Sequence, residues 1–199
     1  GKGSASWNMA MDEALLNNFK EDDFPILRLY GWESALSLGR FSDIEKSLDQ
    51  DRIDEANFSY VRRMTGGGVP VHGGDISYTL ILPRKGLKGI GIKESYYYLC
   101  RFLIQFYERL GLDARFASDL QVEQKKSDIC LAGHEAYDIM IEGKKIGGNA
   151  QRYTRDTLFQ HGSIPITMDK SRLETFFLSE SGLEGAATLE ELGCEMSYE

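Results

Sequence analysis

The sequence predicts an α+β fold, a mixed, mostly antiparallel sheet with helices packed on it. Three observations lead there. Several short stretches alternate apolar and polar residues as strands do, one long stretch has helical apolar periodicity, and the C-terminal half holds strand candidates joined by short turns. The chain has 199 residues, 42% hydrophobic and 27% charged, without a repeat, low-complexity tract or obvious linker. A single domain over 1–199 is therefore expected. The missing initiator methionine and the helix-like SYE ending make trimmed termini an expectation.

Taken in order, Ser4 or Ser6 is placed to cap a first helix through NMAMDEALLNNF, with Met11, Leu15 and Phe19 at four-residue spacing. ILRLYGW (26–32) and ALSLGRF (35–41) alternate like strands, and FSYVRR leads as another strand into three glycines. ISYTLILP (76–83) reads as a buried strand stopped by Pro83. The helix signal is clearest in ESYYYLCRFLIQFYERLGL, where Tyr96, Leu99, Cys100, Leu103, Tyr107 and Leu110 form one stripe and Gly111 supplies the stop. AYDIMIEGKKIGGNAQRY predicts two strands around a Glu142–Gly143–Lys144 turn. TLFQHGSIPI follows as a third strand after a charged turn at Thr154–Asp156. DKSRLETFFL is a short helix with Leu173, Phe176 and Phe177 inward.

A formal charge of −8 argues against a general nucleic-acid binder, whose footprint is basic. Arg62, Arg63, Lys144, Lys145, Arg152 and Arg155 cluster around the motifs, and a locally positive cleft suits a small anionic ligand. Cys100, Cys130 and Cys194 are widely spaced, without CxxC or Cys/His ligand spacing, so neither a disulfide framework nor a metal site is expected. No apolar run approaches the roughly 20 residues of a membrane span, and no signal peptide is visible, so a cytoplasmic location is expected.

Four constellations carry possible chemistry. In RRMTGGGVPVH (62–72), bare backbone at Gly66–Gly68 can form a floor of N–H groups, with Arg63 pairing an anion and His72 as a wall. A hairpin with two solvated arginines fits the same residues. In EGKKIGGNAQRY, alternation puts Lys145, Gly147 and Asn149 on one strand face, leaving space for a ligand; a surface lysine on an edge strand is the alternative. In FQHGS, His161 beside Gly162 marks either a close backbone approach or a structural histidine. Cys130, in the polar stretch KSDICLAGHEAYD, is a better nucleophile candidate than the stripe residue Cys100, because a thiolate needs access and nearby positive charge.

NMAMDEALL, YGWESALSLGRFSDI, RRMTGGGVPVH, KKIGGNAQRY and QHGSIPI, in this order and spanning nearly the whole chain, resemble the lipoate–protein ligase and octanoyltransferase family. The resemblance implies a mixed sheet packed by helices around an acyl-binding tunnel, and attachment of a lipoyl or octanoyl chain to a lysine of a small carrier domain. Carried over by position, Arg63, Thr65, Gly67, Gly68 and His72 would line the head-group end of the acyl site. Lys145 would polarise the acyl carbonyl, Gly147, Asn149 and Ala150 would border the site, and His161 and Gly162 would stand opposite.

Cys130 stands fifteen residues before Lys145, the spacing of the family's cysteine-dependent octanoyltransferases, and Tyr137 and Asp75 also fit that branch. Gly68, and Leu131 after the cysteine, depart from it, and the third glycine is typical of ligases. The resemblance thus implies an octanoyltransferase that needs no cofactor. Its donor would be acyl carrier protein, and its acceptor a lipoyl carrier domain, either glycine cleavage H protein or a dehydrogenase E2 domain. The alternatives are a ligase using ATP and Mg, and a non-catalytic module that recognises lipoyl domains. Trp32, Leu36 and Tyr78 are candidate walls for the acyl chain.

Overall fold

The structure, a computed structural model, describes residues 1–120, 135–179 and 181–196. The N-terminal half runs β1 (Lys2–Gly3), α1 (Ala5–Asn18), β2 (Ile26–Trp32), β3 (Ala35–Leu38), α2 (Ile44–Ser47), α3 (Gln50–Glu55), β4 (Ser59–Arg62), β5 (Val71–His72) and β6 (Asp75–Pro83). Then come α4 (Ile92–Arg109), β7 (Arg115–Phe116), β8 (Ile139–Ile141), β9 (Lys144–Ile146), β10 (Gly148–Tyr153), β11 (Thr157–Pro165), α5 (Lys170–Glu174) and β12 (Ala186–Ala187).

The strands form three sheets, in the orders β1-β2-β6-β11-β10, β12-β9-β8-β7 and β4-β3-β5. Among the described residues only the β1–β2, β12–β9 and β3–β4 pairings are parallel, so the expected mostly antiparallel α+β architecture is what the chain adopts. The spine is the antiparallel β2–β6–β11–β10 ladder, in register from Gly162 opposite Tyr78 on one side to Asn149 on the other. Helix α4 covers one face through Cys100, Leu103 and Tyr107, which join Tyr78, Ile139 and Ile164 in the largest core cluster. A second core, with Leu36, Leu38, Ile53, Leu173 and Phe176, lies between the three-stranded sheet and α5. Among the described residues, no helix is long and apolar enough to cross a membrane.

Three local expectations are corrected. The buried face of α1 is Ala5, Asn8, Met9, Asp12 and Leu16, while Met11, Leu15 and Phe19 are half-buried at its flank. Two polar side chains sit inward because partners wait for them there. The strand predicted over 35–41 stops at Leu38, because Gly39 turns to meet the glycine loop. A Cβ at Gly39 would lie 1.8 Å from the Gly67 carbonyl oxygen. Finally, the 144–153 stretch is two strands in two sheets, broken at Gly147, whose φ of +70° only glycine adopts without strain. Lys145 and Asn149 therefore do not share a strand face.

Candidate active site

Where the ladder meets the three-stranded sheet, a cavity of about 240 Å³ opens. Tyr30 and Trp32 of β2, His72 of β5, Asp75 and Ser77 of β6, and Asn149 of β10 are among its polar and aromatic lining. Phe58, Val71, Pro165, Met168 and Leu173 supply apolar wall. This mixture suits an amphiphilic ligand with an aliphatic part.

The glycine loop at its rim is held by buried side chains. Arg63 Nη2 donates to Gly66 O at 2.9 Å and to Gly68 O at 3.0 Å, and its Nη1 donates to Ser37 O and, at 3.0 Å, to Ser37 Oγ. With carbonyls turned to the guanidinium, no hydrogen bond among the described residues uses the N–H groups of Gly66–Gly68. Those of Gly66 and Gly67, which line the cavity, are left as donors for a bound oxygen. Gly67 takes φ +92°, which requires glycine, whereas a Cβ at Gly66 would meet open space.

From Ser37 the contacts run on. Ser37 Oγ is 2.7 Å from His72 Nε2, and His72 Nδ1 is 2.9 Å from Asp75 Oδ2. The carboxylate can only accept, so Nδ1 is the donor, and in the neutral ring Nε2 accepts a hydrogen bond from the Ser37 hydroxyl. Asp75 Oδ2 also accepts from Ser77, which accepts from Trp32 Nε1, and Trp32 stacks on His72 at 4.0 Å. This connectivity is that of a Ser-His-Asp triad, but the chemistry is not. Ser37 borders the cavity but is fully buried, accepts from Arg63, and spends its own N–H on Pro70 O, so its hydroxyl has no exposed face to attack from and its own amide cannot serve as an oxyanion donor. It is a rigid mount.

On the other flank, Thr65 Oγ1 is 2.6 Å from His161 Nε2, and His161 Nδ1 is 3.8 Å from Asp12 Oδ2. Burial lowers the His161 pKa, favouring the neutral ring. Asp12 is the hub of α1's inward face, accepting from Arg28 at 2.6 Å, Tyr30 at 3.0 Å and Thr79 at 2.8 Å. On β10, Asn149 Oδ1 accepts from Tyr78 at 2.6 Å, and Gly162 makes room for it: a Cβ there would come within 2.3 Å of that oxygen.

The structure thus places Arg63, Gly67, His72, Gly147, Asn149, Ala150, His161 and Gly162 on the cavity wall. Thr65 and Gly68 stand behind it, bonded to His161 and Arg63. Of the three expected walls only Trp32 lines the cavity; Leu36 and Tyr78 are buried in the two cores. Nor do the motif's arginines form an open positive cleft. Arg62 donates to Gly39 O and Ser42 O, as Arg63 does to the loop, so both serve backbone carbonyls.

Lys145 stands on β9, two residues before Gly147 of this wall. Its Nζ is 2.7 Å from Asp138 Oδ2, with the two side chains only 5% and 4% exposed. Asp138 is itself fixed by the Glu135 N–H at 2.8 Å. Sequence reasoning missed Asp138, Asp12 and Ser37. The first two left a trace, as acidic residues at positions whose neighbours in the pattern are apolar.

The two described thiols are not nucleophile candidates of equal standing. Cys100 is wholly buried and its pKa is pushed up to about 12 by burial, so it is an inert core residue as its stripe implied. Cys194 is half-buried at the edge of the same core. Cys130, the predicted nucleophile, lies outside the described residues.

Residues 4–192 match the lipoyl protein ligase A/B catalytic domain family. The octanoyltransferase LipM of Bacillus subtilis (strain 168) is 33% identical over 190 residues, covering 91% of this chain and 68% of that relative. Among solved structures, a lipoate-protein ligase A bound with ATP aligns over 100% of this chain and 77% of its own, with a TM-score of 0.83 at 24% identity. A bi-partite lipoate protein ligase from Thermoplasma acidophilum, described together with its E2 lipoyl domain, gives 0.78 at 22% identity over 100% and 75%. At such identities the two structures speak for the fold. The family match and the LipM relationship decide the rest: this chain is an enzyme of the lipoyl protein ligase A/B catalytic domain family.

Proposed function

We propose that this enzyme is an octanoyltransferase, moving an octanoyl group from a carrier-protein thioester to a lysine of a lipoyl carrier domain. The observation that carries the reading is the 33% identity to an octanoyltransferase LipM across nine-tenths of the chain. The site supports it in two ways. The cavity joins apolar walls to a rim of unspent backbone N–H groups, as an acyl chain and its carbonyl require. Lys145 is held as a fixed cation by Asp138 rather than left mobile.

In this reading the Cys130 thiolate attacks the donor carbonyl, the donor C–S bond breaks, and the carrier thiolate leaves to take up a proton. The neutral amine of the acceptor lysine then attacks the Cys130 thioester, forming the amide and releasing the Cys130 thiol. The Lys145 ammonium and the loop N–H groups stabilise the oxyanion of each tetrahedral intermediate, and loss of one such donor typically costs about 3 kcal/mol. Because Asp138 balances the Lys145 charge, the ammonium acts by direct hydrogen bonding more than by repelling the acceptor's proton.

Incubation with octanoyl-carrier protein is expected to leave a hydroxylamine-labile octanoyl adduct on Cys130, absent in Cys130→Ser and retained in Cys100→Ala. If no adduct forms while ATP, Mg and free lipoate modify the acceptor domain, the ligase reaction is the true one. Binding of the acceptor domain with turnover under neither condition identifies a recognition module.

A further inference from the structure

From Arg84 to Arg101 the chain carries five cationic side chains against one carboxylate, in a protein whose formal charge is −8. Two of the five are engaged: Lys85 pairs with Asp22, and Arg84 donates to the Thr154 carbonyl. The one carboxylate, Glu94, is turned back onto the Gly91 N–H as a helix cap. Lys88, Lys93 and Arg101 are exposed and enter no ion pair among the described residues. Lys93 and Arg101, two turns apart, share one stripe of α4. Beside them Ile92 and Tyr98 are 63% and 59% exposed, so the surface is cationic and apolar at once.

Two chains of contact fasten this surface to the active site. Ser95 Oγ donates to Gln151, Gln151 to Gln160, Gln160 to the Tyr78 hydroxyl, and Tyr78 to Asn149 on the cavity wall. Tyr96 stacks on Tyr137 at 3.8 Å, and Tyr137 precedes Asp138, the partner of Lys145. The first turns of α4 therefore support both the wall and the lysine.

We infer that this surface docks the acyl donor, a small acidic carrier protein presenting its thioester on a phosphodiester-linked arm. The inference rests on the octanoyltransferase reading. An acidic partner is repelled by most of an acidic enzyme and accepted where cations collect, so Lys88, Lys93 and Arg101 set where it lands and how it faces. Ile92 and Tyr98 supply the apolar contact within the charged rim.

The test compares wild type with Lys88→Glu/Lys93→Glu/Arg101→Glu, using octanoyl-carrier protein and octanoyl-pantetheine, which lacks both protein and phosphate. Lys20→Glu/Lys46→Glu/Arg115→Glu matches the change in net charge elsewhere. At low salt, kcat/KM for the carrier should fall about tenfold or more in the first variant alone, and the gap should narrow as salt screens it. Transfer from octanoyl-pantetheine should be unchanged. An unchanged carrier rate, an equal loss with both donors, an equal loss in the control variant, or a rise confined to the KM of the acceptor domain would each overturn the inference. If wild type transfers from neither donor, the octanoyltransferase reading fails by itself. Titration of octanoyl-carrier protein against both proteins then decides the docking. A Kd about tenfold weaker for the first variant supports it, and equal or undetectable binding refutes it.

Discussion

Gly147 is the hinge between the strand that carries Lys145 and the strand that walls the cavity, and replacing it with alanine is a demanding test of the site's construction. Its φ is +70°, and a Cβ would stand 2.1 Å from the Ser163 carbonyl oxygen and 3.4 Å from Pro165 Cδ. Gly143, in the turn before β9, has nearly the same φ of +76° but nothing within 4 Å of the added carbon. In both places alanine incurs left-handed strain of about 1–2 kcal/mol, offset by about 0.4–1 kcal/mol from the stiffer unfolded chain. Gly143→Ala should therefore cost about 1 kcal/mol. Gly147→Ala adds overpacking against backbone that cannot rotate away, about 1–3 kcal/mol more. For a chain of this size each kcal/mol is worth about 2–4 °C in Tm. The expected losses are thus about 3 °C for Gly143→Ala and about 10 °C for Gly147→Ala in thermal melts followed by circular dichroism. Transfer activity should fall in Gly147→Ala well below its melting range, because the ladder at Ser163 must shift beside Asn149. Equal Tm losses for the two variants would show that the close approach at Ser163 is not real.

Other consequences follow from the buried polar groups. Asp138→Asn removes the carboxylate that stands 2.7 Å from the buried Lys145 ammonium, so a stability loss of up to about 3–5 kcal/mol in urea melts is expected, together with loss of transfer. Tyr107→Phe removes a buried hydroxyl without a partner among the described residues, and should raise stability by about 1 kcal/mol in the same melts. His161 has its pKa lowered by burial, so the unfolded chain takes up a proton below about pH 6.5 that the native state refuses. Stability is then lost as pH falls from that value, by up to about 1.4 kcal/mol per pH unit, and His161→Gln should show a shallower acid slope than wild type.

Much of the fold was legible along the chain because it is written in short-range periodicity. The Tyr96–Tyr107 stripe, the alternation of 26–32, the apolar run of 76–83 and the hairpin at Thr154–Asp156 each depend on residues a few positions apart. Helix α1 misled for the opposite reason. Hydropathy ranks Asn8 and Asp12 as outward, and only the arrival of Arg28, Tyr30 and Thr79 from β2 and β6 makes them inward. The split at Gly147 was equally hidden, since nothing local in GKKIGGNAQRY says which sheet each part joins and a carbonyl from β11 decides the break.

The glycine motif divides along the same line. Three glycines between strand candidates, flanked by arginine and histidine, announced a place where backbone must meet something, and the family resemblance named the chemistry. What the arginine does there was a tertiary matter. A guanidinium cannot tell a ligand's oxygen from a carbonyl's until the chain closes around it, and here closure puts Gly66, Gly68 and Ser37 within its reach. The pairing of Lys145 with Asp138 has the same origin, for seven residues of sequence become 2.7 Å only when β8 and β9 fold back on each other. Sequence alone determined which groups this enzyme has to work with; long-range packing decided which of them face the cavity and which hold its walls.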